Sequence, residues 1–237
     1  MTQKIMATLV HFERTGDRYV VLRLKPERNS WKHKPGQYTK ITFAEGNEPL
    51  SKIYSIGSAL RADDELDFCI QWNDPQLEEL AKSWQVNKTE FSLQPAAGNF
   101  HVPPYNKSVV LLAGGSGITP LKAILEDRLY NAGKEKDAAE TVLLYGCSDD
   151  REIPFYEELK KLAEQNPGRV VLRFFAEKIL AKGQSRAEPG RPLAVIGPYL
   201  NADAEYLMCG PPPFLDAARA ALLLAKIPNE QIHQDRY

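Results

Sequence analysis

From residue 4 to about residue 95, apolar positions come in short runs rich in β-branched and aromatic side chains: Ile5 to Phe12, Tyr19 to Leu24, Tyr38 to Phe43, Ile53 to Ile56, Leu66 to Trp72 and Phe91 to Leu93. Turn formers separate them at Thr15-Gly-Asp17, Pro35-Gly36, Gly46-Asn47 and Asp63-Asp64. Six short strands forming a small antiparallel β-barrel are the expectation. One helix interrupts them at about Pro75 to Trp84, where Leu77, Leu80, Ala81 and Trp84 recur at i, i+3, i+4 and i+7 and predict a cap over one barrel mouth.

The period then changes. After Pro95-Ala-Ala-Gly98-Asn99-Phe100 and the aperiodic, double-proline stretch from His101 to Ser108, Val109 to Ala113 predicts a strand, and Leu121, Ile124, Leu125 and Leu129 mark a helix closed by Gly133. Strands at Thr141 to Cys147, Val170 to Phe175 and Tyr206 to Met208 alternate with helices at about Pro154 to Gln165 and Pro213 to Lys226, across a Gly/Pro-rich stretch from Gly183 to Pro198. Alternation of this kind predicts a parallel sheet wrapped on both sides. The expected fold is a two-domain α/β arrangement, with the barrel in residues 1–102 and a nucleotide-binding domain in 103–237.

Composition acts mainly by exclusion. Among 237 residues, 30 Lys+Arg against 31 Asp+Glu leave a net charge of −1, so nothing points to nucleic acid. Cys69, Cys147 and Cys209 are too far apart in sequence for an iron–sulfur run. His11, His33, His101 and His233 have no ligand spacing, so no metal is expected, and Trp31, Trp72 and Trp84 are assigned to packing. The first residues lack the apolar core of a leader and no run reaches membrane-spanning length, which reads as a cytoplasmic protein.

The stretch Val109-Val-Leu-Leu-Ala-Gly114-Gly115-Ser116-Gly117-Ile-Thr119-Pro120 carries the clearest chemistry. Its three glycines are expected to take φ > 0 and admit a ligand closely, Thr119 to cap the helix and Pro120 to open it. Free N–H groups there favour a pyrophosphate. Proline at 120 departs from the dinucleotide fingerprint, and taken alone the stretch is equally an ordinary strand-to-helix turn.

Three patches stand in order: Lys52-Ile53-Tyr54-Ser55-Ile-Gly-Ser58, the glycine stretch, and Cys209-Gly210-Pro211-Pro212. This order resembles the ferredoxin–NADP reductase superfamily, in which a flavin-binding barrel precedes a pyridine-nucleotide domain, and the resemblance runs from Pro35-Gly36-Gln37-Tyr38 to the closing Tyr237. It implies an NAD(P)H-dependent flavin oxidoreductase. Lys52 would neutralise a flavin phosphate in place of the family's arginine, Tyr54 would pack on the isoalloxazine, and Ser55 would reach its N5. Ile53, Ser58, Cys69, Ile70, Gln71 and the Gly98-Asn99-Phe100 turn would complete the flavin site. The resemblance also sets Cys209, with Gly210 and Pro211, beside the nicotinamide, gives Asp235 a part in proton delivery, and makes Tyr237 the aromatic shield. Ser55, Cys209 and Asp235 are thus the implied catalytic groups.

Two departures bear on the ligands. Where the family has G-x-x-S/T for the flavin pyrophosphate, this chain has Gln71-Trp-Asn-Asp74, and an aspartate would repel phosphate unless it caps the helix. FAD is the implied cofactor, with FMN or a diffusing flavin left open. Ser148-Asp149-Asp150-Arg151 follows the sheet's second strand: the aspartates favour NADH, Ser148 and Arg151 would serve NADPH, and Ala176-Glu177 replaces the S-R pair typical of NADPH users. Electrons would pass to a separate carrier such as ferredoxin, flavodoxin or an oxygenase component, with Lys32, His33, Lys34, Lys40 and Lys52 as candidate contacts. The rival readings are a free-flavin reductase and a non-catalytic electron-transfer or regulatory subunit.

Overall fold

The computed structural model describes residues 4–27, 30–44, 49–132, 139–181, 183 and 185–235. Tyr237, Gly133 and the Gly46-Asn47 turn lie outside the described residues. The first half is an antiparallel six-stranded sheet ordered β4-β3-β6-β1-β2-β5, from β1 (Ile5–Thr15), β2 (Tyr19–Pro26), β3 (Tyr38–Ala44), β4 (Leu50–Ser55), β5 (Leu66–Gln71) and β6 (Glu90–Leu93). The chain leaving β4 returns to the other edge of the sheet, where Gly57 donates its N–H to the Asp67 carbonyl at 2.7 Å and draws the barrel closed. Alternation sends Leu9, Leu22, Leu24, Ile41, Phe68 and Leu93 inward, all fully buried. Helix α1 (Pro75–Ala81) adds Leu77 to that core, and Trp84 stacks on Phe43 at 5.7 Å and 17°.

The second half is an all-parallel sheet ordered β10-β9-β8-β7-β11-β12. Its strands are β7 (Val109–Gly114), β8 (Thr141–Asp149), β9 (Val170–Lys178), β10 (Glu188–Pro189), β11 (Glu205–Cys209) and β12 (Ile232–Asp235). Every residue of β7 is buried, as a central strand covered on both faces must be. Val109, Leu111 and Ala113 face helices α2 (Ile118–Ala132) and α3 (Tyr156–Gln165), while Val110 and Leu112 face α4 (Pro212–Leu224).

Two expectations are corrected here, and two edge strands are added. The helix read from Pro154 starts at Tyr156, because Phe155 takes a left-handed backbone with φ 61°. The edge strands β10 and β12 have too few apolar positions to show a strand pattern; both are recruited by pairing with β9 and β11. His33 faces no partner: it is buried, receives the Trp31 indole N–H at Nδ1 (2.9 Å) and meets the Ser58 carbonyl through Nε2 (2.8 Å).

The two halves share an interior. Tyr19, Val21 and Cys69 on the barrel's outer face join the core formed by α2 and α3. Beside them lies a buried ionic network centred on Lys122 of α2, whose ammonium donates to Asp67 of β5 (2.8 Å), Glu126 (2.6 Å) and the Gly57 carbonyl (3.2 Å). Arg23 and Arg61 also pair with Asp67, at 2.7 and 2.9 Å, and Glu126 accepts the Ala59 N–H at 3.0 Å. Burial alone would raise the Asp67 carboxyl, but Lys122, Arg61 and Arg23 hold it well below the usual carboxylate range.

Replacing Lys122 with methionine leaves Asp67 and Glu126 short of a buried cation and should cost about 3–5 kcal/mol in denaturant unfolding. A depressed folded pKa contributes stability above the unfolded value of about 4 that is lost as pH falls. Wild type should therefore lose more stability than Lys122→Met between about pH 5 and pH 2. A variant as stable as wild type, with the same acid limb, would show that the network carries no weight.

Candidate active site

Strand β7 ends at Gly114, and a single 3₁₀ turn over Gly115–Gly117 leads directly into α2. Of the three glycines only Gly115 takes positive φ, at 55°; Gly114 is extended at −123°. Gly117 is needed for a different reason: a Cβ there would lie 2.1 Å from the Cys209 carbonyl oxygen, so the turn is pressed against the end of β11. Thr119 is not the N-cap. It lies within the first turn of α2, and its hydroxyl donates to the Ser116 carbonyl at 2.8 Å. Pro120 is the third helical residue, where its missing N–H is still one that the helix leaves unpaired.

This turn walls two cavities. The larger, about 510 Å³, lies between the barrel and α2 and is lined by Tyr38, Ile53, Tyr54 and Ser55 from β3 and β4, Cys69 and Gln71 from β5, Ser116 and Thr119 from the turn, and Asp235 from β12. Tyr38 and Ser55 are paired across β3 and β4, and Tyr54 packs edge-on against Phe43 at 6.1 Å and 75°. Burial, then the nearby Asp74 charge, pushes the Tyr54 phenol well up, so it stays protonated. Aromatic faces with a hydroxyl, an amide and a carboxylate around them suit a flat heterocycle with a polar edge. An adjoining cavity of about 310 Å³ is bounded by Gly98, Asn99 and Phe100 and shares Tyr38 and Asp235.

Three expected flavin contacts are occupied otherwise. Ile70 is fully buried in the barrel core, because alternation along β5 turns it away from Cys69 and Gln71. Ser58 is fully buried, its hydroxyl donating to the Glu65 carbonyl (3.2 Å) and accepting the Asp67 N–H (3.3 Å). Lys52 is bound to Asp74, the residue that caps α1 by accepting the Gln76 and Leu77 N–H groups at 2.9 and 3.3 Å. One carboxylate thus satisfies both the cation and the helix start. A phosphate at this end of the cavity would find the Lys52 charge already paired with Asp74.

The second cavity, about 290 Å³, opens on the other side of the turn at the carboxyl ends of β7 and β8. Gly114, Gly115, Ser148, Pro211 and Phe214 line it, with Glu177 and Arg191 opposite and Arg18 and Tyr19 reaching in from the barrel. Arg18 donates to the Ser148 hydroxyl at 2.7 Å, and Arg191 pairs with Glu177 at 2.7 Å. Asp149 and Asp150 do not line it. Asp149 is closed on Arg151 at 2.6 Å, and buried Asp150 accepts the Leu180 and Ala181 N–H groups at 2.7 and 3.0 Å. The acid facing this cavity is Glu177. Arg18 and Arg191 carried no sequence signal, since each sits in a loop whose path only the tertiary fold sets.

Cys209 is fully buried, and burial, reinforced by Asp235, pushes its thiol well above the ordinary range. It is paired across the strands with Asp235 and lines neither cavity, which excludes a thiolate nucleophile.

Residues 111–220 match the family model described as the oxidoreductase NAD-binding domain. The ferredoxin reductase component of 3-ketosteroid-9-alpha-monooxygenase from Mycobacterium tuberculosis is 28% identical over 207 residues, covering 85% of this chain and 54% of that protein. The electron transfer component of xylene/toluene monooxygenase from Pseudomonas putida is 25% identical over 208 residues, covering 86% and 57%. This chain spans about half the length of these curated relatives. A ferredoxin NADP+ reductase from Neisseria gonorrhoeae, solved with bound FAD and NADP, superposes with a TM-score of 0.77 at 20% identity over 99% of both chains.

The Lys52–Asp74 pair sets a direct expectation. Wild type should bind FAD and riboflavin with similar affinity in flavin-fluorescence titrations, and Asp74→Ser, which keeps a helix cap, should tighten FAD about tenfold while leaving riboflavin unchanged. A strong wild-type preference for FAD that the substitution does not alter would mean that Asp74 leaves the phosphate unhindered.

Proposed function

This chain has the two-domain fold of the ferredoxin–NADP reductase superfamily, and on that premise we propose that it is an NAD(P)H-dependent flavin oxidoreductase that passes electrons to a separate carrier. The observation that carries the proposal is the shared turn: Gly114 and Gly115 line one cavity, Ser116 and Thr119 the other, so two ligands bound there meet across a single loop. Hydride transfer requires little beyond such juxtaposition and exclusion of water. Bound flavin, as FAD, supplies an acceptor of hydride that can release electrons singly.

In this reading Tyr54 packs on the flavin ring, and Ser55 and Asp235 stand at its polar edge to hold or deliver a proton. Gly98, Asn99 and Phe100 support the adjoining part of the cofactor. Cys209 acts as packing beneath the nicotinamide end. Residues 1–102 form the flavin domain and 103–237 the nucleotide domain. The carrier is a ferredoxin, a flavodoxin or an oxygenase component, in keeping with the names of the relatives, and Lys32, Lys34 and Lys40 are the cations offered to it. Among the described residues no helix is long and apolar enough to cross a membrane, which is compatible with a cytoplasmic setting.

A second reading, a reductase of diffusing flavin, is favoured by the Lys52–Asp74 pair. Isolation without added flavin separates the two. A yellow protein that releases stoichiometric FAD supports the first, and a colourless one that oxidises coenzyme only with added flavin supports the second.

Glu177 favours NADH, because a carboxylate accepts a ribose hydroxyl and repels a 2′-phosphate. In stopped-flow reduction of the flavin, NADH should exceed NADPH at least about tenfold in efficiency, and Glu177→Gln should lower that ratio by about tenfold while freeing Arg191. A wild-type preference for NADPH would reject the assignment. A protein that reduces no flavin with either coenzyme would reject the function itself.

A further inference from the structure

Linear spacing gave no ground for a metal site among the histidines, but the fold brings two of them together. His101 lies in the irregular segment that joins the two sheets, and His233 lies on β12. Their rings stack at 4.0 Å between centroids, 24° from parallel. On β11, the strand that pairs with β12, Glu205 places a carboxylate oxygen 2.8 Å from His233 Nε2. One ligand atom from each of the three residues lies within 4.8 Å of the others.

Two imidazoles and one carboxylate suit a borderline divalent cation. Calcium or magnesium would require more oxygen donors, and the three cysteines of the chain are buried and are not among these ligands. With bonds of about 2.0–2.1 Å to a tetrahedral zinc ion, neighbouring ligand atoms stand about 3.3 Å apart. His233 and Glu205 are already inside that reach. His101, exposed on an irregular segment, is the ligand that would have to turn out of the stack to close the remaining gap. Because His101 is exposed, water can take a fourth position.

We propose that His101, Glu205 and His233 form a zinc-type divalent cation site that clasps the interdomain segment to the C-terminal edge strand. The clasp is distinct from the electron-transfer chemistry, and its test does not depend on flavin. Its consequence for the neighbouring site is mechanical: β12 carries Asp235 two residues beyond His233, so a bound ion fixes the strand that brings this carboxylate to the larger cavity.

The test uses metal-free full-length protein, with zinc(II) as probe in calorimetric titration and thermal unfolding, and cobalt(II) as probe in visible absorption. Wild type should bind one ion per chain, gain thermal stability on zinc addition and give the intense visible bands of tetrahedral cobalt. His101→Ala, an exposed change, and Glu205→Gln should each weaken zinc at least about tenfold and abolish both the stabilisation and the cobalt bands. Saturable binding that survives unchanged in His101→Ala, or wild-type protein that takes up no ion at micromolar zinc, would overturn the proposal and leave a stacked imidazole pair hydrogen-bonded to a carboxylate.

Discussion

The relation between the two halves of this molecule depends on a buried ionic network centred on one ammonium. Lys122 is fully buried and its partners come from both domains: Glu126 from its own helix, Asp67 and the Gly57 carbonyl from the barrel. Taking such a charge out of water costs several kcal/mol even after relaxation, and only well-placed counter-charges offset it. Sliding or rotating one domain against the other would strip Lys122 of Asp67 while leaving it in the dry interface. The apolar contact of Tyr19, Val21 and Cys69 with α2 and α3 would tolerate small shifts, because burial is non-directional. The ionic network therefore contributes orientation, and the apolar contact most of the attraction.

That orientation is what builds the larger cavity. Asp67 lies two and four residues before Cys69 and Gln71 on β5, and Lys122 lies three residues after Thr119 on α2, so the bond between Asp67 and Lys122 sets the two walls at fixed separation. On the far side of the turn, the absence of a side chain at Gly117 lets α2 start against the end of β11. Cys209 and Asp235 are consequently held in register behind the same loop. An active site made at a domain boundary needs such over-determination, because a small misplacement between two bound rings costs far more rate than any single contact would suggest.

The sequence discloses the parts of this architecture that repeat a local pattern. Alternating runs such as Tyr19 to Leu24 and the i, i+3, i+4 spacing of Leu121, Ile124 and Leu125 are statements about one element and its core, and they carry the fold. The turn at 114 to 120 is equally visible, but for a reason that differs at each residue: Gly115 answers to backbone conformation, Gly117 to a carbonyl from a strand far along the chain. Lys122 is invisible in sequence, since a lysine four residues before a glutamate on a helix reads as an ordinary solvated pair, and only the barrel packed over it makes it a buried centre. Arg18, Glu177 and Arg191 belong to the same class, meeting in one cavity from three separate loops and strand ends. The edge strand Ile232–Asp235 has one apolar residue in four and exists because β11 offers it a ladder.

The two departures at Lys52 and Asp74, which look in sequence like separate losses, are one compensated change in the structure. Lysine lacks the bidentate fork that would hold a phosphate against competition, and its long stem leaves the ammonium free to follow whichever anion is nearest. Asp74 is not free in that way: the Gln76 and Leu77 N–H groups fix one of its oxygens, and the other receives Lys52. A phosphate approaching this end of the cavity would have to draw the lysine out of a half-buried pair. It cannot move the aspartate without uncapping α1. On the proposed reading, the fixed carboxylate, more than the substitution of the basic residue, would limit how tightly this chain holds the phosphate end of a flavin nucleotide. On the same reading, most of the affinity would then come from the ring, in the cavity between Tyr54 and Ser116 and Thr119.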